Sequence, residues 1–185
     1  MVDNHPTWGR GLLAAAGTPV RLILVVANQT ATSDSLVADL RARAEVAPVF
    51  FHLVVPALNS RLRHWLSDID DAVAAACRQG DEAREVLESH GLTGSVEVGD
   101  SVPLLAIEDA LARFAADEIV ISTLPPNRSH WLEADLVKRA RLRFDVPVSH
   151  VIADEVGLPQ PRIPDRNRRR PTVHLSRLSA HRARG

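Results

Sequence analysis

Runs of apolar residues predict five strands along the middle of the chain. The segments Arg21 to Ala27 and Val46 to Val55 are nearly continuous apolar runs, which is typical of strands buried on both faces. Three shorter candidates follow at residues 94–98, 118–122 and 147–152. The first of these alternates polar and apolar positions, so it predicts a weaker strand with two different faces.

Helical patterns separate the predicted strands. Apolar residues return at steps of three and four over residues 33–44, 61–91, 103–116 and 129–144. In the second helix the predicted apolar stripe includes Val73, Cys77, Ala83 and Leu87. Pro103 suits the first turn of the third helix, with Asp100 or Ser101 as the predicted cap in front of it.

The alternation of strands and helices predicts an α/β fold. Strand, helix, strand units require right-handed crossovers, and these give a Rossmann-like parallel sheet with helices on both faces. Such sheets bind ligands beyond the carboxyl ends of their strands, where the strand order reverses. Three loops at that edge, residues 28–33, 99–101 and 123–129, therefore hold the candidate ligand-binding residues. These residues are Asn28, Gln29, Thr30, Asp100, Thr123, Asn127, Arg128 and Ser129.

The loop after the first strand allows two interpretations. It is short and rich in hydroxyl groups, and it leads into a helix N-terminus, a place where free N–H groups can hold a phosphate. Alternatively, Thr32, Ser33 or Asp34 is simply the helix cap. The loop contains neither GxGxxG nor GxxxxGK[ST], so a dinucleotide site and a Walker-type ATPase are not supported.

The loop after the fourth strand is stiffened by two prolines. Pro125 and Pro126 have no N–H to offer a phosphate, unlike the glycines of a phosphate-binding loop. Arg128 is the one cation in the predicted crevice. It either pairs with an anionic ligand or lies in solvent as an ordinary surface arginine.

The remaining chemistry predicts a protein that is neither an enzyme nor a metal protein. The eight histidines are scattered without an HExxH pattern, no GxSxG segment is present, and the single cysteine excludes a CxxC pair. No apolar run reaches the ~18 residues of a membrane span. We therefore expect a cytoplasmic protein without catalytic residues, metal ions or membrane contact.

Composition divides the chain into three parts. Residues 1–18 read as a flexible N-terminal arm, residues 19–152 as the folded domain, and residues 153–185 as a disordered basic tail rich in proline and arginine. The tail carries eight arginines against three acidic residues. A basic tail can recruit an acidic partner, but it has no interleaved aromatic residues, so we expect no nucleic-acid partner.

Three local matches in the predicted domain resemble the universal stress protein family. Val98-Gly99-Asp100 with Pro103 and Ile107 is similar to the family's GD-P-x-x-x-I segment. The segment from Asp117 to Ser122 resembles its A-D-x-I-V-x-G strand, and Pro147-Val148 resembles its closing PV segment.

The resemblance implies more than the fold. It implies the strand order 3-2-1-4-5 of the adenine nucleotide alpha hydrolase-like proteins, a homodimer, and ATP or AMP as the nucleotide that many relatives bind. The homodimer is expected to form through the last strand, which lies at a sheet edge. The family's glycine-rich G-x2-G-x9-G-[ST] motif is absent after the fourth strand, and Asn28 stands where relatives have an acidic residue.

These observations lead to one hypothesis with two alternatives. The leading hypothesis is a non-catalytic, universal stress protein-like regulatory module that binds an unknown small ligand in the stress response and needs no cofactor. The first alternative is an ATP- or AMP-binding stress protein with an altered phosphate loop. The second is an adaptor whose basic tail binds an acidic partner.

Overall fold

The computed structural model describes residues 19–57, 68–126, 128–129, 131 and 135–154, with the backbone alone for 68–72. Within these ranges five strands form one sheet in the order β3-β2-β1-β4-β5, with every neighbouring pair parallel. The strands are β1 (Arg21–Val26), β2 (Val49–Pro56), β3 (Gly94–Gly99), β4 (Glu118–Thr123) and β5 (Val148–Ile152). The predicted fold class and strand order are confirmed.

Helices cover both faces of the sheet. In the described ranges they are α1 (Asp34–Val46), α2 (Asp68–Ser89), α3 (Pro103–Arg113) and α4 (Leu136–Arg143). Alternate residues of β1 enter two separate cores: Leu22 and Leu24 pack with α3 and α4, whereas Ile23 and Val25 pack with α1 and α2. The apolar run of β1 therefore reflects a central strand that is buried on both faces.

Three predicted element boundaries are wrong. β2 begins at Val49 rather than Val46, because Val46 ends α1 at 82% exposure and Pro48 precedes the strand. α3 ends at Arg113, since Phe114 already has an extended backbone. The helix predicted over 129–144 is not continuous, because Asp135 has a left-handed backbone (φ 52°) and α4 begins after it.

The buried stripe of α2 matches the predicted one only in part. Ala83 and Leu87 are buried as predicted, but Cys77 is exposed and Val73 is 42% exposed, so neither of those two belongs to the core. The helix also buries Ala76 and Gly80, which were not in the predicted stripe. At Gly80 an added Cβ would lie 3.3 Å from Val96 Cγ1, which shows how closely the helix approaches β3. Residues 58–67, including the start of the predicted helix, lie outside the described residues.

The cap predicted for α3 is also wrong. Val102 is the N-cap residue, it makes no side-chain cap bond, and Pro103 occupies the first turn as expected. Asp100 contributes differently, because its Oδ1 accepts the N–H of Val102 at 2.7 Å. The carboxylate thus fixes the turn between β3 and α3.

The chain stays attached to the domain just beyond β5. Ala153 is buried and its N–H donates to the Thr123 carbonyl oxygen at 2.9 Å. The N–H of Asp154 donates to Ser35 Oγ at 2.9 Å. Ala153 is therefore bonded to β4 and Asp154 to the first turn of α1, while 155–185 and the predicted arm 1–18 lie outside the described residues.

Candidate functional site

A cavity of about 200 Å³ lies beyond the carboxyl ends of β1 and β4. These two strands are neighbours in the sheet, but the chain leaves β1 toward β2 on one side and β4 toward β5 on the other. The cavity therefore occupies the point where strand order reverses, which is the usual ligand position in such sheets. Its lining residues are Asn28, Gln29, Thr30, Ser122, Leu124, Arg128, Ser129 and Trp131.

The structure brings five of the predicted site residues together. Asn28, Gln29 and Thr30 come from the loop after β1, and Arg128 and Ser129 come from the loop after β4. Both loops were chosen because they follow strands at the carboxyl edge, and they meet across one cavity. Asn127 lies outside the described residues.

Asp100 and Thr123 are not among the lining residues of this cavity. Asp100 is exposed at the end of β3, two strands from the cavity, and its carboxylate is engaged by the Val102 N–H. Thr123 is buried, and its Oγ1 lies 2.8 Å from His150 Nε2 on β5. Burial, followed by the nearby charge of Arg141, lowers the pKa of His150. Thr123 thus joins two strands beside the cavity.

The loop after β1 is held by its own hydrogen bonds. Asn28 Nδ2 donates to the Pro56 carbonyl oxygen at 2.6 Å, and Thr30 Oγ1 donates to the Ser122 carbonyl oxygen at 3.2 Å. Ser33 is the N-cap of α1, and its Oγ accepts the Leu36 N–H at 3.4 Å. Since Asp34 also adds a negative charge to the first turn, the capping interpretation is confirmed and an anion has little reason to bind this helix end.

The loop after β4 supplies the only formal charge among the described lining residues. The Arg128 N–H donates to the Pro125 carbonyl oxygen at 2.9 Å, and this turn places the partly buried arginine at the cavity wall. No carboxylate is found in the described lining. The site is therefore electrostatically biased toward anions.

Two lining residues that sequence reasoning missed carry buried donors without partners. Ser122 is 1% exposed and Trp131 is 8% exposed. Ser122 Oγ and Trp131 Nε1 have no hydrogen-bond partner in the part of the chain described. An unpaired buried polar group costs ~1–3 kcal/mol, so a partner for either donor would stabilise the protein. The sequence gave one indication of Ser122, because this residue directly precedes the predicted ligand-binding loop 123–129.

A second polar cluster joins β2, β3 and α3. His52 Nδ1 lies 2.8 Å from Ser95 Oγ, and His52 Nε2 lies 3.3 Å from Glu97 Oε1. The hydrogen bond to His52 is the main cause that lowers the pKa of Glu97, against the effect of burial, and Arg113 contributes further. His52 also packs on the Phe114 ring at 5.0 Å. These contacts anchor α3 to the edge of the sheet.

The described lining combines one arginine with neutral polar and apolar side chains. Among the described ones there is no histidine, cysteine or carboxylate to move a proton or attack a substrate. No group of three or more potential metal ligands occurs within the described ranges. The described helices also include none that is both long and apolar enough to cross a bilayer. What the lining does offer is a set of hydrogen-bond donors.

Comparison with known proteins identifies the fold. No family profile and no curated protein matches the sequence. Among solved structures, a universal stress protein from Archaeoglobus fulgidus matches with a TM-score of 0.50 and 18% identity, over 71% of this chain and 93% of that chain. The chain has the universal stress protein fold.

Two further solved structures of universal stress proteins are similar to this chain. A universal stress protein family member from Burkholderia pseudomallei gives a TM-score of 0.47 and 20% identity, over 70% of this chain and 93% of that chain. The universal stress protein from Archaeoglobus fulgidus in complex with dAMP gives 0.49 and 16%, over 71% and 97%. At 18% identity the match to the first structure shows the fold alone, and the site must be interpreted from its own residues.

Proposed function

We propose that the chain is a non-catalytic binding module that holds a small ligand in the cavity between β1 and β4. The observation that carries this proposal is a pair of buried donors, Ser122 Oγ and Trp131 Nε1, that have no partner among the described residues and belong to two residues lining one cavity at the strand-order reversal. A ligand that accepts their hydrogen bonds removes the cost of leaving them unpaired. We also propose a role in the stress response, and this part rests on analogy with proteins of the same fold.

Several features support binding without turnover. The cavity sits at the ligand position of doubly wound sheets, and its wall combines the apolar side chain of Leu124 with polar groups. Thr30 and Asn28 are fixed by hydrogen bonds to the backbone, so one side of the site is already organised before a ligand arrives. Asn28 and Thr30 therefore need little rearrangement when a ligand binds.

A cavity-filling variant tests the proposal. Leu124→Trp enlarges a partly buried lining residue and should occupy the space of the ligand. Thermal unfolding is measured with a panel of small metabolites, using Leu105→Trp on exposed Leu105 as the matched control. We expect at least one compound to raise the melting temperature of the wild type and of the control, but not of Leu124→Trp. If no compound separates the wild type from Leu124→Trp, the proposal is wrong.

A further inference from the structure

The hydrogen-bonding types in the cavity restrict the ligand. The indole Nε1–H of Trp131 and the guanidinium of Arg128 are donors only, and a serine hydroxyl can always act as a donor. An orphaned indole N–H is satisfied only by an acceptor. Ser122, Trp131 and Arg128 line the same cavity, so they call for a group with several acceptor oxygens.

Charge restricts the ligand further. Arg128 is the one formally charged residue in the described lining. An arginine beside a partly enclosed cavity pairs best with a carboxylate or phosphate, since these groups accept two parallel N–H bonds. A neutral acceptor would satisfy Trp131 but would leave the charge of Arg128 without a partner.

The volume of the cavity favours a small anion over a large one. At about 200 Å³ the cavity is smaller than the ~300–1,000 Å³ of pockets that bury drug-sized ligands. An apolar cavity of ~150 Å³ is already large enough for benzene, so this cavity has room for a body of that size with one charged group attached. Leu124 and the ring of Trp131 supply apolar surface for such a body.

We propose that the crevice binds a small organic anion, with its oxyanion accepting hydrogen bonds from Ser122, Trp131 and Arg128. This inference rests on the proposed function and names its ligand class. The apolar part of the anion lies against Leu124 and the indole ring. A carboxylate and a phosphate monoester share the required chemistry, and a nucleoside triphosphate exceeds the space available.

The indole N–H of Trp131 provides a direct readout. The chain has three tryptophans, so a ¹⁵N-labelled sample of the full chain gives three indole N–H resonances, and Trp131→Phe identifies the one that belongs to the cavity. The probes are benzoate, phenyl phosphate and the neutral analogue benzamide, titrated at constant ionic strength. We expect benzoate or phenyl phosphate to shift the Trp131 resonance in a saturable manner, with no shift from benzamide.

Variants assign the contacts. Arg128→Gln keeps hydrogen-bond donors but removes the charge, and it should weaken anion binding by about tenfold. Ser122→Ala should weaken it by a smaller factor. Arg139→Gln, on the exposed surface of α4, is the matched control and should leave the affinity unchanged.

Two results would overturn the anion assignment while leaving small-ligand binding intact. The first is that benzamide shifts the Trp131 resonance as strongly as benzoate and that Arg128→Gln affects neither. The second is that both anions leave the resonance unmoved while a neutral metabolite stabilises the wild type but not Leu124→Trp. If no compound raises the melting temperature of the wild type more than that of Leu124→Trp, the proposed function is wrong, and so is the assignment of an anionic ligand.

Discussion

Some side chains that line the cavity can bind a ligand but lower the stability of the protein when no ligand is bound. Ser122 has a buried hydroxyl with no partner in the described chain, and desolvating that group costs free energy on folding. Replacing it with alanine should therefore leave the melting temperature unchanged or raise it by a few degrees. The same change should weaken ligand binding. Differential scanning calorimetry without ligand checks the first part, and a clear drop in melting temperature would show that Ser122 is bonded inside the folded protein.

Glu118 has the opposite character, because every one of its contacts supports the fold. Its carboxylate binds Arg21 at 2.8 Å and is also bonded by Arg43 of α1 and Ser149 of β5. Burial opposes ionisation of Glu118, but the bonds from Ser149 and Arg43 and the charges of Arg43 and Arg21 outweigh it, so its pKa is lowered. The folded protein therefore binds the proton less readily than the unfolded chain.

The lowered pKa of Glu118 predicts how its contribution depends on pH. The stabilisation is fully present above the ordinary glutamate pKa of ~4.3 and is lost as the pH falls through the lower folded value. Glu118→Gln should destabilise the protein by ~1–3 kcal/mol at pH 7, because two arginines lose their charged partner. Urea unfolding at pH 7 and near pH 3.5 measures the difference between variant and wild type. That difference should shrink at the acidic pH, and an increase there would contradict the assignment.

At the scale of elements, close packing between α3 and the sheet depends on one glycine. A Cβ added at Gly99 would lie 2.6 Å from Val54 Cγ1 and 2.9 Å from Ala106 Cβ. Gly99→Ala should therefore cost ~1–3 kcal/mol through overpacking. In a double-mutant cycle, Val54→Ala should recover part of this cost, because it removes the nearest atom. Additive effects in urea unfolding would mean that the two residues do not meet.

β5 is the edge element through which we predict a homodimer. Ala153 N–H and the Pro147 carbonyl oxygen both bond to β4, so the alternation of a parallel strand turns the N–H of Ile152 outward. Ile152 is 48% exposed, and Arg141 Nε already bonds to the Val148 carbonyl oxygen. Ile152→Pro should remove the outward N–H, spare the bonds to β4 and give a monomer in light scattering. Ile152→Thr, which keeps the N–H, should remain dimeric, and a proline variant that stays dimeric would place the interface elsewhere.

The elements that were predictable from sequence are those whose periodicity is set by burial. β1 is apolar from Leu22 to Val26 because it is central and covered on both faces, and its loop could be placed at the carboxyl edge from chain order alone. The stripe of α2 was predicted only in part, because two of its buried positions, Ala76 and Gly80, give a weak hydrophobic signal. The sequence could not predict that Trp131 Nε1 has no partner among the described residues, because this depends on which polar groups the tertiary fold places near the indole.

For the molecule as a whole, the size of the cavity and its shortage of donors for phosphates predict weak binding of ATP. The cavity is about 200 Å³, its described lining has one cation, and Pro125 and Pro126 have no N–H to donate to phosphates. Titration calorimetry should detect no ATP binding at micromolar concentrations. A low-micromolar dissociation constant for ATP that is lost in Arg128→Ala would favour the nucleotide-binding alternative instead.

The hydrogen bond between Asp154 and Ser35 holds Asp154 at the first turn of α1. This position lies on the same end of the sheet as the cavity. Residues 155–185 hold eight arginines and two carboxylates, so the covalent connection tethers a net positive charge to that end. Such a charge concentrates anions from the surrounding electrolyte and accelerates their capture. The association rate of an anionic ligand should therefore fall as salt is added, and fall less in a chain truncated after Asp154.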